Sequence, residues 1–322
     1  MRIDSSVLLE KLFNSIPATL NIIRDPLAQS LLGFVSDNKY PSHSLKYLVK
    51  YAYINKVLNL LVIRSPSIFK GTELAERLVN QRIKFLKHLH ALVDVLERIN
   101  IEYVVFKTYR PVPETPVDID ICVYGLEDAL QIVKALKTKF KVEICNVDRF
   151  SIGIRISDLG EYIDIYVYPH VANFIYLNNR VLLDNKQYID VNEFNLEFQI
   201  PIPSFTAEAL AVISHAIIKE GVMTLNDVLT TVTYMQTNLE DILALAKRES
   251  LELAVGPFLK KLESGRFPAR FTVLERFLAI AQRSMKRESF ISIPYFLRGV
   301  VKKREALLEA SRKVTYVRGL NR

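Results

Sequence analysis

The chain has 322 residues, half of them apolar and about a quarter charged, with only 10 glycines, a composition that excludes extensive disorder and suits two or three compact units. Its two cysteines, Cys122 and Cys145, come without a C-x-x-C spacing or a histidine cluster, which excludes a disulfide framework and a structural zinc site. The net charge of +8 is uneven: residues 247–322 hold 18 Lys and Arg against 7 Asp and Glu, the remainder 25 against 28, so the last quarter suits a phosphate-rich partner or forms a solvated basic face.

Up to about residue 64 the sequence reads as helices punctuated by Ile16-Pro17, Arg24-Asp25-Pro26 and Lys39-Tyr40-Pro41-Ser42. Apolar residues from Ser44 to Ile63 recur close to helical spacing, and the breadth of the stripe implies deep burial. Runs such as Val57–Ile63 are too short to span a bilayer, and Met1-Arg2-Ile3-Asp4 does not open a secretory segment. No membrane association is expected, and a reducing, cytoplasmic setting is.

A long helix is predicted over Glu73–Ile99, after which the period changes to two. Tyr103–Phe106, Asp118–Tyr124, Phe140–Cys145, Ser151–Ser157 and Glu161–Tyr168 read as strands, with a helix over Glu127–Lys139 and a hairpin connection at Asp158-Leu159-Gly160. From Pro203 the helical period returns: Ser204 or Thr206 caps a helix ending at Gly221, and Thr224-Leu225-Asn226-Asp227 opens the next as a capping box. Further basic helices are predicted over 239–310, with turns at Gly256-Pro257 and Gly265-Arg266-Phe267-Pro268. The order predicts an α+β fold with a small mixed or antiparallel sheet at 73–202, an N-terminal helical region at 1–72 and a basic helical domain at 203–322.

The chemistry-bearing residues lie in Val117-Asp118-Ile119-Asp120-Ile121-Cys122-Val123 and Tyr162-Ile163-Asp164-Ile165-Tyr166. In a strand, residues two apart share a face, so Asp118 and Asp120 point one way and Ile119, Ile121 and Val123 the other. Like charges on one face of a buried strand repel unless a cation lies between them. Asp164 follows the same alternation and is the candidate third carboxylate, with Asp148, Asp158 and Glu161 as neighbouring competitors. His215, on an apolar helical face, reads as a core histidine; His88 and His90 are two apart on a helix and point to different faces. Cys122 shares the parity of the aspartates and reads as a small buried residue.

A strand and turn at Val105-Phe106-Lys107-Thr108, then Asp118-Ile119-Asp120, then a third Asp on a later strand together resemble the nucleotidyltransferase superfamily that includes DNA polymerase beta. More narrowly they are similar to stand-alone nucleotidyltransferases with a Lys at the turn, whose helical tail Ser214-His215-Ala216-Ile217-Ile218-Lys219 and Leu225–Leu229 resemble; the likeness covers about residues 75–235. The resemblance implies a small mixed sheet with helices on one side, and transfer of an NMP from an NTP to an acceptor hydroxyl with two Mg²⁺ or Mn²⁺ ions. It implies Asp118, Asp120 and Asp164 as metal ligands and catalytic residues, and Lys107, Thr108 and Arg110 as triphosphate ligands. Most of the superfamily carries Gly-Ser at the turn. Here Thr108 keeps the hydroxyl, while Lys107 and Arg110 are expected to replace the amide cradle with side-chain cations. RNA is the expected acceptor, held by basic helices including Lys302, Lys303 and Arg304. The alternative is a catalytically inactive relative that binds nucleic acid or a protein partner, which the missing glycine favours.

Overall fold

The computed structural model describes residues 2–37, 43–264 and 267–293. Strand β1 (Arg2–Asp4) leads into α1 (Ser5–Ile22), α2 (Pro26–Asp37), α3 (Leu45–Ile54), α4 (Leu58–Arg64), α5 (Pro66–Phe69) and the long α6 (Glu73–Arg98). There follow β2 (Tyr103–Val105), β3 (Asp118–Val123), α7 (Leu126–Lys139), β4 (Val142–Val147), β5 (Ser151–Ile156) and β6 (Glu161–Tyr166). Short strands β7 (His170–Val171) and β8 (Phe174–Ile175) and helix α8 (Asn179–Leu183) precede the hairpin β9 (Gln187–Glu193) and β10 (Leu196–Ile202). Helix α9 (Phe205–Ser214) continues into a π-helical turn, His215–Glu220; β11 (Val222–Met223), α10 (Leu225–Arg248), α11 (Glu252–Ser264), β12 (Ala269–Arg270) and α12 (Val273–Arg283) follow, and residues 287–293 are again helical.

The fold is α+β with small sheets of mixed and antiparallel pairing, as the alternation of periods predicts. Its central sheet has the order β2-β3-β6-β5-β4, and every neighbouring pair is antiparallel except β3 and β6. Ile119, Ile121, Ile163 and Ile165 are buried on one face, where α7 packs with Ile132, Val133 and Leu136. The opposite face carries Asp118, Asp120 and Asp164 and looks toward α9 and the π-helical turn.

Caps mark the helix starts that the sequence announces. Thr72 caps α6, Ser204 caps α9, and Thr224 with Asp227 forms a reciprocal box on α10. Asp25 accepts from the amides of Leu27 and Ala28 to open α2, and its other oxygen accepts from Tyr51 and from the Phe267 amide.

Several local expectations are overturned. Pro17 and Pro257 lie inside α1 and α11 and end neither helix. An interior proline costs about 3 kcal/mol, and here Leu12, Ile16 and Thr19 around the first, and Val255, Phe258 and Leu262 around the second, are buried firmly enough to offset it. The stripe from Ser44 to Ile63 is two helices, because Asn55 closes α3 and Lys56 follows in the left-handed region at φ 56°. The hairpin β9–β10 has no Asn-Gly signal; its two loop residues, Phe194 and Asn195, both take positive φ, 54° and 60°, the conformation of a tight primed turn. The Lys39-Tyr40-Pro41-Ser42 turn and Gly265-Arg266 lie outside the described residues.

The N-terminal segment is packed into the rest of the molecule. Strand β1 pairs in parallel with β9, α1 packs against α10, and the hydroxyls of Ser15 and Thr233 lie 3.0 Å apart in the buried seam. Among the described residues no helix is long and apolar enough to cross a membrane.

Candidate metal centre

The parallel register of β3 and β6 sets Asp118 opposite Tyr162 and Asp120 opposite Asp164. One carboxylate oxygen from each of Asp118, Asp120 and Asp164 lies within 4.8 Å of the others. Asp120 is buried and its two companions are half-buried. Burial and then the charge of Asp120 raise the Asp118 carboxyl above its ordinary range, and the same causes push Asp164 up to about 6. Three carboxylates in one desolvated cluster are thus held against their mutual repulsion.

Three competitors for the third position are engaged elsewhere. Asp148 faces His170 at 3.3 Å and accepts from two backbone amides, Asp158 accepts from the Lys141 amide, and Glu161 pairs with His88 at 2.8 Å. Asp164 is the one carried to the centre, and a glycine makes room for it. Gly153 on β5 is its cross-strand partner, and a Cβ there would lie 2.1 Å from Tyr162 Oη and 3.1 Å from Asp164 Oδ1.

Of the three residues predicted for the phosphate turn, Lys107 alone touches the carboxylates. Its Nζ is 2.8 Å from Asp120 Oδ2, with 4% and 8% of the two side chains exposed. Lys107 adopts φ 57°, the left-handed conformation for which glycine is the usual residue. The turn therefore keeps a glycine-like backbone without the glycine. Its amide is not free, however, because it donates to Glu208 Oε1 at 2.6 Å. Thr108 is a brace: its hydroxyl accepts from the Asp120 amide at 2.9 Å and donates to the Phe106 carbonyl at 3.2 Å. Arg110 turns to the start of α10, reaching Asp227 Oδ1 at 3.1 Å and Asn226 Oδ1 at 3.5 Å, while its Nε is buried without a partner.

Three further residues, unassigned from sequence, complete the surroundings. Lys219, on the π-helical turn, brings Nζ to 3.4 Å from Tyr166 Oη, and that hydroxyl donates to Asp164 Oδ2 at 3.2 Å. Its charge pulls down both Asp118 and Asp164. Arg276 of α12 holds this turn by donating to the Ile217 and Ile218 carbonyls, each at 3.1 Å. Glu208 is fully buried, and its carboxyl is pushed up to about 7 by burial, against the pull of Arg110 and Lys107. Its signal was a lone acid in the apolar run Phe205-Thr206-Ala207-Glu208-Ala209-Leu210-Ala211; Lys219 has no such signal, because only the π-helical geometry aims it. His215, read as a core histidine, is held well below its ordinary range by burial and then by Lys107, Lys219, Arg110 and Lys56, so its imidazole is neutral. Cys122 is fully buried, as expected.

The donor set suits a hard divalent ion, since Mg²⁺ and Mn²⁺ take carboxylate oxygens. Asp120 Oδ1 is buried with no hydrogen-bond partner, and an unpaired buried carboxylate oxygen is costly unless a cation or donor meets it. The residues present fit such an ion. Lys302, Lys303 and Arg304 lie outside the described residues. Comparison with protein-family models, curated proteins and solved structures finds no match to this chain.

Proposed function

We propose that the protein is a divalent-metal-dependent nucleotidyltransferase that moves an NMP from an NTP to an acceptor hydroxyl. The observation that carries this reading is the convergence of Asp118, Asp120 and Asp164 from two parallel-paired strands beside a left-handed turn bearing a cation. Mg²⁺ or Mn²⁺, when bound, supplies neutralisation of charge on the attacking and leaving oxygens. Asp118 and Asp120 would hold the ion that accompanies the nucleotide. Asp164, whose carboxyl lies near 6, orients the acceptor hydroxyl and takes its proton on a carboxylate oxygen. Tyr166 fixes Asp164 through its hydroxyl, and Lys107 and Lys219 supply positive charge for the triphosphate. RNA is the acceptor best suited to the basic last quarter of the chain, through residues such as Lys302, Lys303 and Arg304.

The test is incubation with each α-labelled NTP, Mg²⁺ or Mn²⁺, and total cellular RNA or protein. Label is expected in the RNA fraction and is expected to vanish in the Asp118→Ala, Asp120→Ala double variant. Absence of transfer to any fraction, or equal transfer by the double variant, overturns the assignment.

One observation favours a second reading, a non-catalytic module of the same fold. The Lys107 amide is consumed by Glu208 and its ammonium by Asp120, so the turn presents less to a phosphate than a glycine turn does. Such a module binds RNA in a salt-sensitive way that survives loss of the aspartates and falls when Lys302, Lys303 and Arg304 are neutralised.

A further inference from the structure

The Lys107 ammonium stands where a cation belongs. It lies 2.8 Å from Asp120 Oδ2, and neither side chain has more than 8% of its surface exposed. Asp120 is also central to the cluster, since its charge raises both Asp118 and Asp164. The other Asp120 oxygen, Oδ1, is buried and unpartnered. Among the described residues, Lys107 is thus the cation in contact with Asp120, Lys219 stands one hydroxyl away from Asp164, and Asp120 Oδ1 is left unmet. A divalent ion added beside a buried ammonium on the same carboxylate meets repulsion that little water screens.

The attachment of Lys107 lets the ammonium move without the turn. Its backbone is fixed by the 2.6 Å bond from its amide to Glu208 and by its left-handed φ. Among the described residues its ammonium meets Asp120 and the ring faces of Phe106 and Tyr166, 4.8 Å and 5.7 Å from Nζ. A polyphosphate reaching the cluster gives the ammonium a second anionic partner.

We propose, building on the nucleotidyltransferase reading, that Lys107 is a resident counter-ion of the carboxylate cluster which nucleotide phosphate draws off Asp120, so that divalent-ion binding is contingent on the nucleotide. Lys107 thereby acts twice: it neutralises the cluster at rest and then binds phosphate. The coupling is reciprocal, because whatever factor the nucleotide adds to ion affinity, the ion adds to nucleotide affinity.

The experiment counts free Mn²⁺ by electron paramagnetic resonance over the full-length protein, alone and with the α,β-methylene analogue of each NTP, corrected for chelation by free analogue. For the unsubstituted protein at least one analogue is expected to tighten Mn²⁺ binding by about tenfold or more, within the usual range of coupling between sites. Lys107→Gly keeps the left-handed backbone without strain and removes the ammonium. It is expected to bind Mn²⁺ alone about tenfold more tightly than the unsubstituted protein, with the enhancement by analogue largely gone, a coupling of the same size. Lys107→Met repeats the test with a side chain of similar length, and Lys107→Arg is expected to keep the coupling. If a variant fails to melt cooperatively, the comparison of the unsubstituted protein with and without analogue decides. Mn²⁺ affinity that is equal in the unsubstituted protein and in Lys107→Gly or Lys107→Met, or unmoved by every analogue, overturns the inference and leaves the metal centre standing. No bound Mn²⁺ in any protein under any condition overturns the nucleotidyltransferase reading as well.

Discussion

Glu208 is the one charged residue of the largely apolar helix α9, with Oε1 accepting from the Lys107 amide and Oε2 buried and unpartnered. Burial holds this carboxyl at about 7, against 4.5 for an ordinary glutamate, so the folded protein keeps its proton where the unfolded chain has lost it. The stability linked to that proton is complete below about pH 4.5 and is lost as pH rises through about 7. A shift of this size corresponds to roughly 3 kcal/mol. Glu208→Gln retains an oxygen for the Lys107 amide and cannot ionise. Urea denaturation in EDTA across pH 4 to 8 is expected to give a steeper fall for the unsubstituted protein than for Glu208→Gln; superimposable slopes refute this. Glu208→Ala strands the amide and is expected to lose about 1 to 3 kcal/mol at every pH.

At the scale of an element, Gly153 decides how β5 can lie beside β6. A methyl group at this position meets the Tyr162 hydroxyl and Asp164 Oδ1, so Gly153→Ala is expected to displace the Tyr162 ring and lower stability by about 1 to 3 kcal/mol. Shortening the obstacle restores the space, and Gly153→Ala combined with Tyr162→Ala is expected to be less destabilised than the sum of the two; simple additivity in thermal melts counts against the contact. The strands themselves were legible, because alternation in Asp118–Val123 and Glu161–Tyr166 follows from one face against α7 and one against the cluster. The pairing of those strands was not, since parity assigns a side chain to a face and says nothing about which strand lies alongside. Pro17 and Pro257 misled for a related reason: a local breaker was outweighed by burial that only tertiary packing reveals. Phe194-Asn195 escaped notice because a bulky residue with positive φ is not how a tight turn usually advertises itself.

Across the whole molecule, the loop beside the carboxylates is tied to the N-terminal end of the described chain. The pair Arg82–Glu193, at 2.8 Å with the arginine buried and the glutamate half-buried, joins α6 to β9, Tyr109 Oη of the phosphate-turn loop donates to the same carboxylate, and β9 in turn pairs with β1. A fragment beginning at Glu73 lacks β1 and the α1 residues Leu8, Leu12 and Ile16 that are buried in the core. It is expected to lose cooperative melting and expose apolar surface, checked by dye binding and circular dichroism; a native-like melt of that fragment shows the N-terminal packing to be dispensable. The one parallel pairing in the central sheet has a consequence for folding. Strands β2 and β3 form one antiparallel unit, and β4, β5 and β6 form another from neighbouring segments of chain. Within the sheet the β3–β6 pairing joins them, with α7 packed across the seam, so Asp118 and Asp120 reach Asp164 at the pairing that closes the longest loop within the sheet. Docking brings like charges together at that step, and Lys107, carried in by the first unit, is the counter-charge that lets the halves close.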